Sequence, residues 1–251
     1  MALLEVQNLV KHFLGVTAVD HVNLVVESGE LVSLIGPNGS GKTTLFNCVT
    51  GYAVADGGRV VLGGRDVTGA PPHRVARLGV ARTFQQVSVF PRLSVLENLL
   101  AFGQQHQEED MLARLLRTRR LRRLEADATE RAWHLLELVG LTAKAHEDAG
   151  RLSYGQRKLL AFAGALMPDP DLLLLDEPAA AVNPTMINQI KVHIRTLHGQ
   201  GKAILLVEHN MDVVMDISER VVVLDHGQKI AEGSPAAIRR DPRVIEAYFG
   251  A

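Results

Sequence analysis

From Leu31 to Val49 an apolar run, LVSLI, passes without a spacer into GPNGSGKTT and then into LFNCV, whose pattern suits a helix. Three glycines, Gly36, Gly39 and Gly41, stand within six residues, beside Lys42 and the pair Thr43 and Thr44. A packed core has no use for that much backbone freedom next to a fixed cation. The apolar run needs a sheet that covers it, and the glycines allow a tight curl that a Cβ would block. The helix that follows turns its first N–H groups into the bend. Strand, glycine bend and helix in that order place an anion site at the end of a buried strand.

Further apolar runs recur: VNLVV (22–26), LLLLD (172–176), AILLVE (203–208) and RVVVLD (220–225). Continuous rather than alternating runs are expected of strands covered on both faces, as in a mostly parallel sheet. Helical patterns lie between them. Ile187, Ile190, Ile194 and Leu197 recur at 3-4-3 spacing after Asn183-Pro184, which reads as N-cap and first helical residue. The architecture is α/β. Ser94-x-x-Glu97 is a capping box, and two further faces, Ala132/Leu135/Leu136/Val139 and Leu159/Leu160/Ala163/Leu166/Met167, are helical. With no convincing strand between about 88 and 165, that stretch is expected to be a helical insertion. The expected division of the single domain is 1–87 with 166–251 as an α/β core and 88–165 as the helical sub-domain.

Composition narrows the function classes. Hydrophobic residues make up 47% of the 251, enough for a large core, and 27 basic against 28 acidic side chains leave a net charge of −1. That balance argues against a nucleic-acid partner, whose footprint is basic. Cys48 is the only cysteine, so no internal disulfide forms and a reducing compartment fits. MALLEVQNLV lacks the form of a secretory signal, and no run approaches the roughly 20 apolar residues of a membrane span. RLLRTRRLRR (114–123) holds six arginines. It reads as a solvated linker between helices or as a surface drawn to anionic lipid or an acidic partner.

Gly36-x4-Gly41-Lys42-Thr43 is the P-loop pattern in its required context. The backbone of Pro37, Asn38, Gly39 and Ser40 curls around phosphate oxygens, Lys42 reaches the β- and γ-phosphates, and the Thr43 hydroxyl ligates Mg²⁺. Hydrolysis also needs a metal anchor and a way to position water. LLLLDEP delivers Asp176 and Glu177 at a strand end, where open α/β sheets bind ligands. An acidic pair ending a strand is by itself commonly a surface feature. Beside a P-loop, Asp176 holds Mg²⁺ through water and Glu177 is the general base.

RLSYGQRK (151–158) resembles the signature motif of ABC-transporter ATPases, with Tyr154 at the variable place. Ser153, the Gly155 N–H and Gln156 then form a second anion site at a helix N-terminus, although a Ser/Gly turn before a helix is often only a cap. The resemblance implies a RecA-like P-loop NTPase core with an N-terminal antiparallel β portion. It makes Gln85 in RTFQQ the metal- and nucleotide-sensing glutamine, with Gln86 if the register is off by one, and His209 in LLVEHNM the switch histidine. Phe13 in KHFLGV falls where an aromatic ring stacks on adenine, though a core phenylalanine fits the sequence equally.

Each motif occurs once, so the resemblance implies two chains enclosing two ATP molecules with Mg²⁺, closure of that dimer being the power stroke. EPAAAVNP, FNCVTG, the basic insertion and the tail EGSPAAIRRDPRVIEAYFG are similar to the first ATPase subunit of branched-chain amino-acid importers. Expected partners are a second ABC ATPase subunit, two transmembrane permease subunits and, indirectly, a periplasmic or extracellular solute-binding protein. The expected place is the cytoplasmic face of the membrane. Transport of urea, short amides or lipid, or a non-transport role, are the alternatives. Ala181 and Val182 replace the usual Gly-Leu; the added methyl is mild where φ stays negative.

Overall fold

The computed structural model describes residues 1–83, 88–103 and 119–249, the side chains of 119–121 and 249 excepted. It divides into two compact units, Met1–Gln85 with Asp171–Ala251, and Gln86–Pro170.

In the first unit, β1 (Ala2–Phe13) and β2 (Val16–Glu27) form an antiparallel hairpin. β3 (Leu31–Ile35) leads through the glycine bend into α1 (Lys42–Val49). Next come β4 (Gly57–Leu62), β5 (Arg65–Asp66), α2 (Pro72–Ala76) and β6 (Val80–Arg82). The second unit contributes α3 (Val95–Gly103), α4 (Arg119–Leu138) and α5 (Tyr154–Leu166). The chain then returns to the first unit as β7 (Leu172–Asp176), α6 (Pro184–Gly199), β8 (Ala203–Val207), α7 (Met211–Ile217), β9 (Arg220–Asp225), β10 (Gln228–Gly233), α8 (Pro235–Ile238) and α9 (Pro242–Phe249).

Two sheets result. One is ordered β2-β1-β4-β5 and is antiparallel; the other is ordered β10-β9-β3-β8-β7-β6. From β9 to β6 the second sheet is parallel, with β10 as an antiparallel edge. The α/β class and the N-terminal antiparallel portion are therefore as expected. β3, β7 and β8 are buried at every position, because both faces are covered. On β9, Val222 and Leu224 join the cluster with Leu24, Leu45 and Phe46, while Val221 and Val223 pack with Val214, Ile238 and Val244. A fully buried aliphatic side chain contributes about 1.5–3 kcal/mol, so these short strands hold a large share of the stability.

VNLVV is a correction. It lies in β2, where Val22, Leu24 and Val26 are buried and Asn23 and Val25 face out. A hairpin strand needs one wet face, and Val25 is a valine spent on it.

In the second unit the capping box forms: Ser94 N and Oγ both donate to Glu97 Oε2 at 2.7 Å, and Glu97 N donates to Ser94 Oγ. α3 packs against α4 and α5, so closely that a Cβ on Gly164 would meet the Phe102 ring at 2.5 Å. Arg131 donates to the carbonyl of Leu166 at 2.6 Å and to Asp169, placing a cation on the last turn of α5. Because α5 continues to Leu166, the return to the first unit falls at Asp171 rather than at 166. Residues 114–118 of the arginine stretch lie outside the described residues. Arg119 to Arg123 are the opening of α4, a helix and not a linker.

Candidate active site

The bend after β3 is shaped by close approach. A Cβ on Gly36 (φ +150°) would stand 2.0 Å from the Leu224 carbonyl oxygen, and one on Gly41 (φ +100°) 2.3 Å from that of Ala18. Asn38 and Gly39 are exposed at its crest, Pro37 is half-buried and Ser40 is buried. Gly41 precedes α1 with no side-chain cap, so the first-turn N–H groups, among them those of Lys42, Thr43 and Thr44, are left for an anion. The Lys42 ammonium donates to the carbonyls of Gly36 and Pro37 at 2.8 Å and to Ser40 Oγ at 3.2 Å. Lys42 is only 5% exposed. Burial pushes its pKa down, while the Glu177 and Asp176 carboxylates pull the other way. Both acids thus lie close enough to bear on the Lys42 charge.

Asp176 ends β7 in the buried interior. Its Oδ2 accepts from Arg82 Nη2 at 2.9 Å, and the same guanidinium donates to Asn47 Oδ1 and Thr50 Oγ1 around the end of α1. Arg82 thus ties the acid to the helix that starts at the bend. Glu177, one residue on, has φ +50°, a left-handed conformation that costs a non-glycine residue of order 1–3 kcal/mol. The turn brings its Oε1 to 3.0 Å from Nε2 of His209, just past the end of β8. A glutamate and a histidine just past the ends of the neighbouring parallel strands β7 and β8 thus meet, in the same unit as an uncapped helix start and a buried lysine.

The profile of the ABC transporter family matches residues 19–180. The chain belongs to that family. A second profile, of branched-chain amino acid ATP-binding cassette transporters, matches residues 228–251. The high-affinity branched-chain amino acid transport ATP-binding protein BraF of Pseudomonas aeruginosa is 45% identical over 249 residues, which is 99% of this chain and 98% of the relative. A nucleotide-free ATP-binding cassette from an ABC transporter superposes with a TM-score of 0.86 at 36% identity, with both chains covered in full. A dimeric post-hydrolysis cassette bound to ADP and Pi superposes at 0.77, with 25% identity and 92% and 98% coverage.

Other expected residues of this cassette fall as follows. Phe13 is 48% exposed at the end of β1, with the Lys11 ammonium 5.1 Å from its ring centroid; it is not a core residue. Ser153 caps α5. It accepts from Gln156 N at 3.2 Å while Gln156 Oε1 accepts from Ser153 N at 3.0 Å, and Gly155 sits in the first turn between them. Gln85 and Gln86 lie outside the described residues. Among the described residues no helix is long and apolar enough to cross a membrane.

At Ala181 the condition for a mild methyl is not met. Its φ is +57°, so the methyl in place of the usual glycine is not mild. A non-glycine residue there costs about 1–2 kcal/mol, partly offset by the smaller entropy an alanine loses on folding. Ala181→Gly is expected to stabilise the chain by about 0.5–1 kcal/mol, a rise of roughly 1–4 °C in Tm by thermal melting. An unchanged or lowered Tm would remove the strain from this turn.

Two buried charged residues near these motifs escaped the sequence reading. Arg82 is the first residue of the RTFQQ motif, and Glu208 ends an apolar run beside the motif histidine. A charge closing a buried strand was the available signal for both.

Proposed function

We propose that this cassette is the ATP-hydrolysing subunit of an importer for branched-chain amino acids, acting as one half of a cassette dimer on two membrane-spanning permease subunits. The Glu177–His209 pair beside Lys42 supports the chemistry. The near full-length likeness to BraF supports the cargo.

Phosphates seat in the bend, on the N–H groups of the α1 start and on Lys42, which gives up its contacts to Gly36 and Pro37. The donors present fit Mg²⁺: the Thr43 hydroxyl on the first turn of α1 and the Asp176 carboxylate, with no group of three or more His, Cys, Asp or Glu gathered among the described residues. Hard oxygen donors that few, completed by substrate phosphates, are how Mg²⁺ is commonly held. Bound there, the ion would supply positive charge against the β- and γ-phosphates. Glu177 accepts the proton of a water attacking the γ-phosphorus as the bond to the ADP oxygen breaks, and His209 holds the Glu177 carboxylate in line. Phe13 offers its exposed face to adenine. The Ser153 turn of a second cassette closes on the γ-phosphate, its hydroxyl donating its own proton outward while its oxygen still caps α5.

The test is uptake by a strain lacking this subunit, with labelled leucine, isoleucine and valine. Uptake of all three should fall to background and return with the wild-type chain but not with Glu177→Gln. Undiminished uptake of the three, with loss of urea, amide or lipid transport instead, would reassign the cargo.

A further inference from the structure

Glu208 is 2% exposed, yet no step above uses it. Its carboxylate accepts from three backbone N–H groups on two separate segments. Oε1 takes Ala179 N at 2.6 Å, two residues after Glu177. Oε2 takes His209 N at 3.0 Å and Asn210 N at 3.1 Å. A buried carboxylate is tolerated when backbone donors surround it, and here those donors belong to the two turns that carry the base and its histidine. β7 and β8 last pair at Asp176 and Val207, and the last backbone tie between them is Glu177 N donating to Val207 O at 2.9 Å. Beyond it the two turns diverge, one into the strained 177–181 stretch and the other into α7, whose start Asn210 caps.

We propose that Glu208 is a positioning residue, a latch whose single carboxylate fastens the Glu177 turn to the His209 turn so that base and histidine are presented together. This rests on the hydrolytic reading of that pair. A neutral glutamine of nearly the same size cannot do the same: its amide nitrogen is a donor and would face a donor on one of the two segments.

In the nucleotide-free full-length chain, amide exchange followed by NMR should show Ala179, His209 and Asn210 protected in the wild type. In Glu208→Gln, exchange should quicken at one or both turns while the Lys42–Val49 amides keep their rates. Exchange at open-loop rates in the wild type would overturn the latch without reference to catalysis. In steady-state assays Glu208→Gln should lower kcat about 10- to 100-fold through misplacement of the base, with KM for ATP and nucleotide affinity within about 3-fold. Combined with His209→Ala, the losses should be less than additive, because one change already separates the pair. Fully additive losses, or equal losses in affinity and kcat, would overturn the role. Wild-type turnover in Glu177→Gln would instead overturn the hydrolytic reading and leave the exchange result standing.

Discussion

Glu177→Gln is expected to lower ATP turnover by about 10²- to 10⁴-fold, the range of a lost general base, while nucleotide affinity stays within a few-fold. The two outcomes separate because the parts that bind lie elsewhere, on the bend and α1. Glutamine keeps the length of the side chain and an oxygen that accepts from His209, so the 3.0 Å contact survives; what disappears is the ability to take a proton. The φ of +50° is set by the backbone, with Glu177 N donating to Val207 O at 2.9 Å, so the turn itself should persist. If ATP binds but is not consumed, dimers should accumulate, since nucleotide then favours the closed state with no route out. Steady-state phosphate release, equilibrium nucleotide binding and size-exclusion chromatography with ATP measure the three quantities. Turnover within a few-fold of wild type would assign the base elsewhere.

How much of this was legible in the sequence depended on the kind of physical constraint. The bend was legible because its geometry forbids a Cβ at Gly36 and Gly41, and that prohibition leaves glycines behind. β3, β7 and β8 were legible because burial on both faces demands unbroken apolar runs. VNLVV looked the same, but Val25 faces solvent, and a run of valines does not record whether a second layer covers it. At Ala181 the departure from the usual glycine was legible but the sign of φ was not, since strain at φ +57° arises from the turn and not from the side chain that endures it.

The polar ties were hidden for another reason. Arg82 and Asp176 are 94 positions apart, and Glu208 and Ala179 are 29 apart. One partner of the second tie is a backbone N–H, which has no letter in the sequence. Helical periodicity failed for the arginine stretch because Arg122 to Asp127 are all in solvent. A stripe of apolar residues forms only where there is something to pack against.

Lys42→Ala should weaken ATP binding about 10- to 100-fold, as expected when a charged hydrogen-bond donor worth about 1.5–3 kcal/mol is removed from a phosphate. The lysine has a second role in the free chain, where it binds the carbonyls of Gly36 and Pro37 and the Ser40 hydroxyl of its own loop. Its loss therefore loosens the cradle while relieving the burial that already presses its pKa down, and these effects oppose each other in the Tm of the nucleotide-free chain. The ligand-induced rise does not suffer that cancellation. At an ATP concentration 100 times the wild-type Kd, the wild type gains about 2.7 kcal/mol, and a variant binding 100-fold more weakly gains about 0.4 kcal/mol. For a chain of this length that is a rise of roughly 5–11 °C reduced to 1–2 °C. Lys42→Met, which retains most of the stem, should behave like Lys42→Ala if charge is the cause and like wild type if packing is. A full ATP-induced shift in both variants would mean that Lys42 does not face the phosphates.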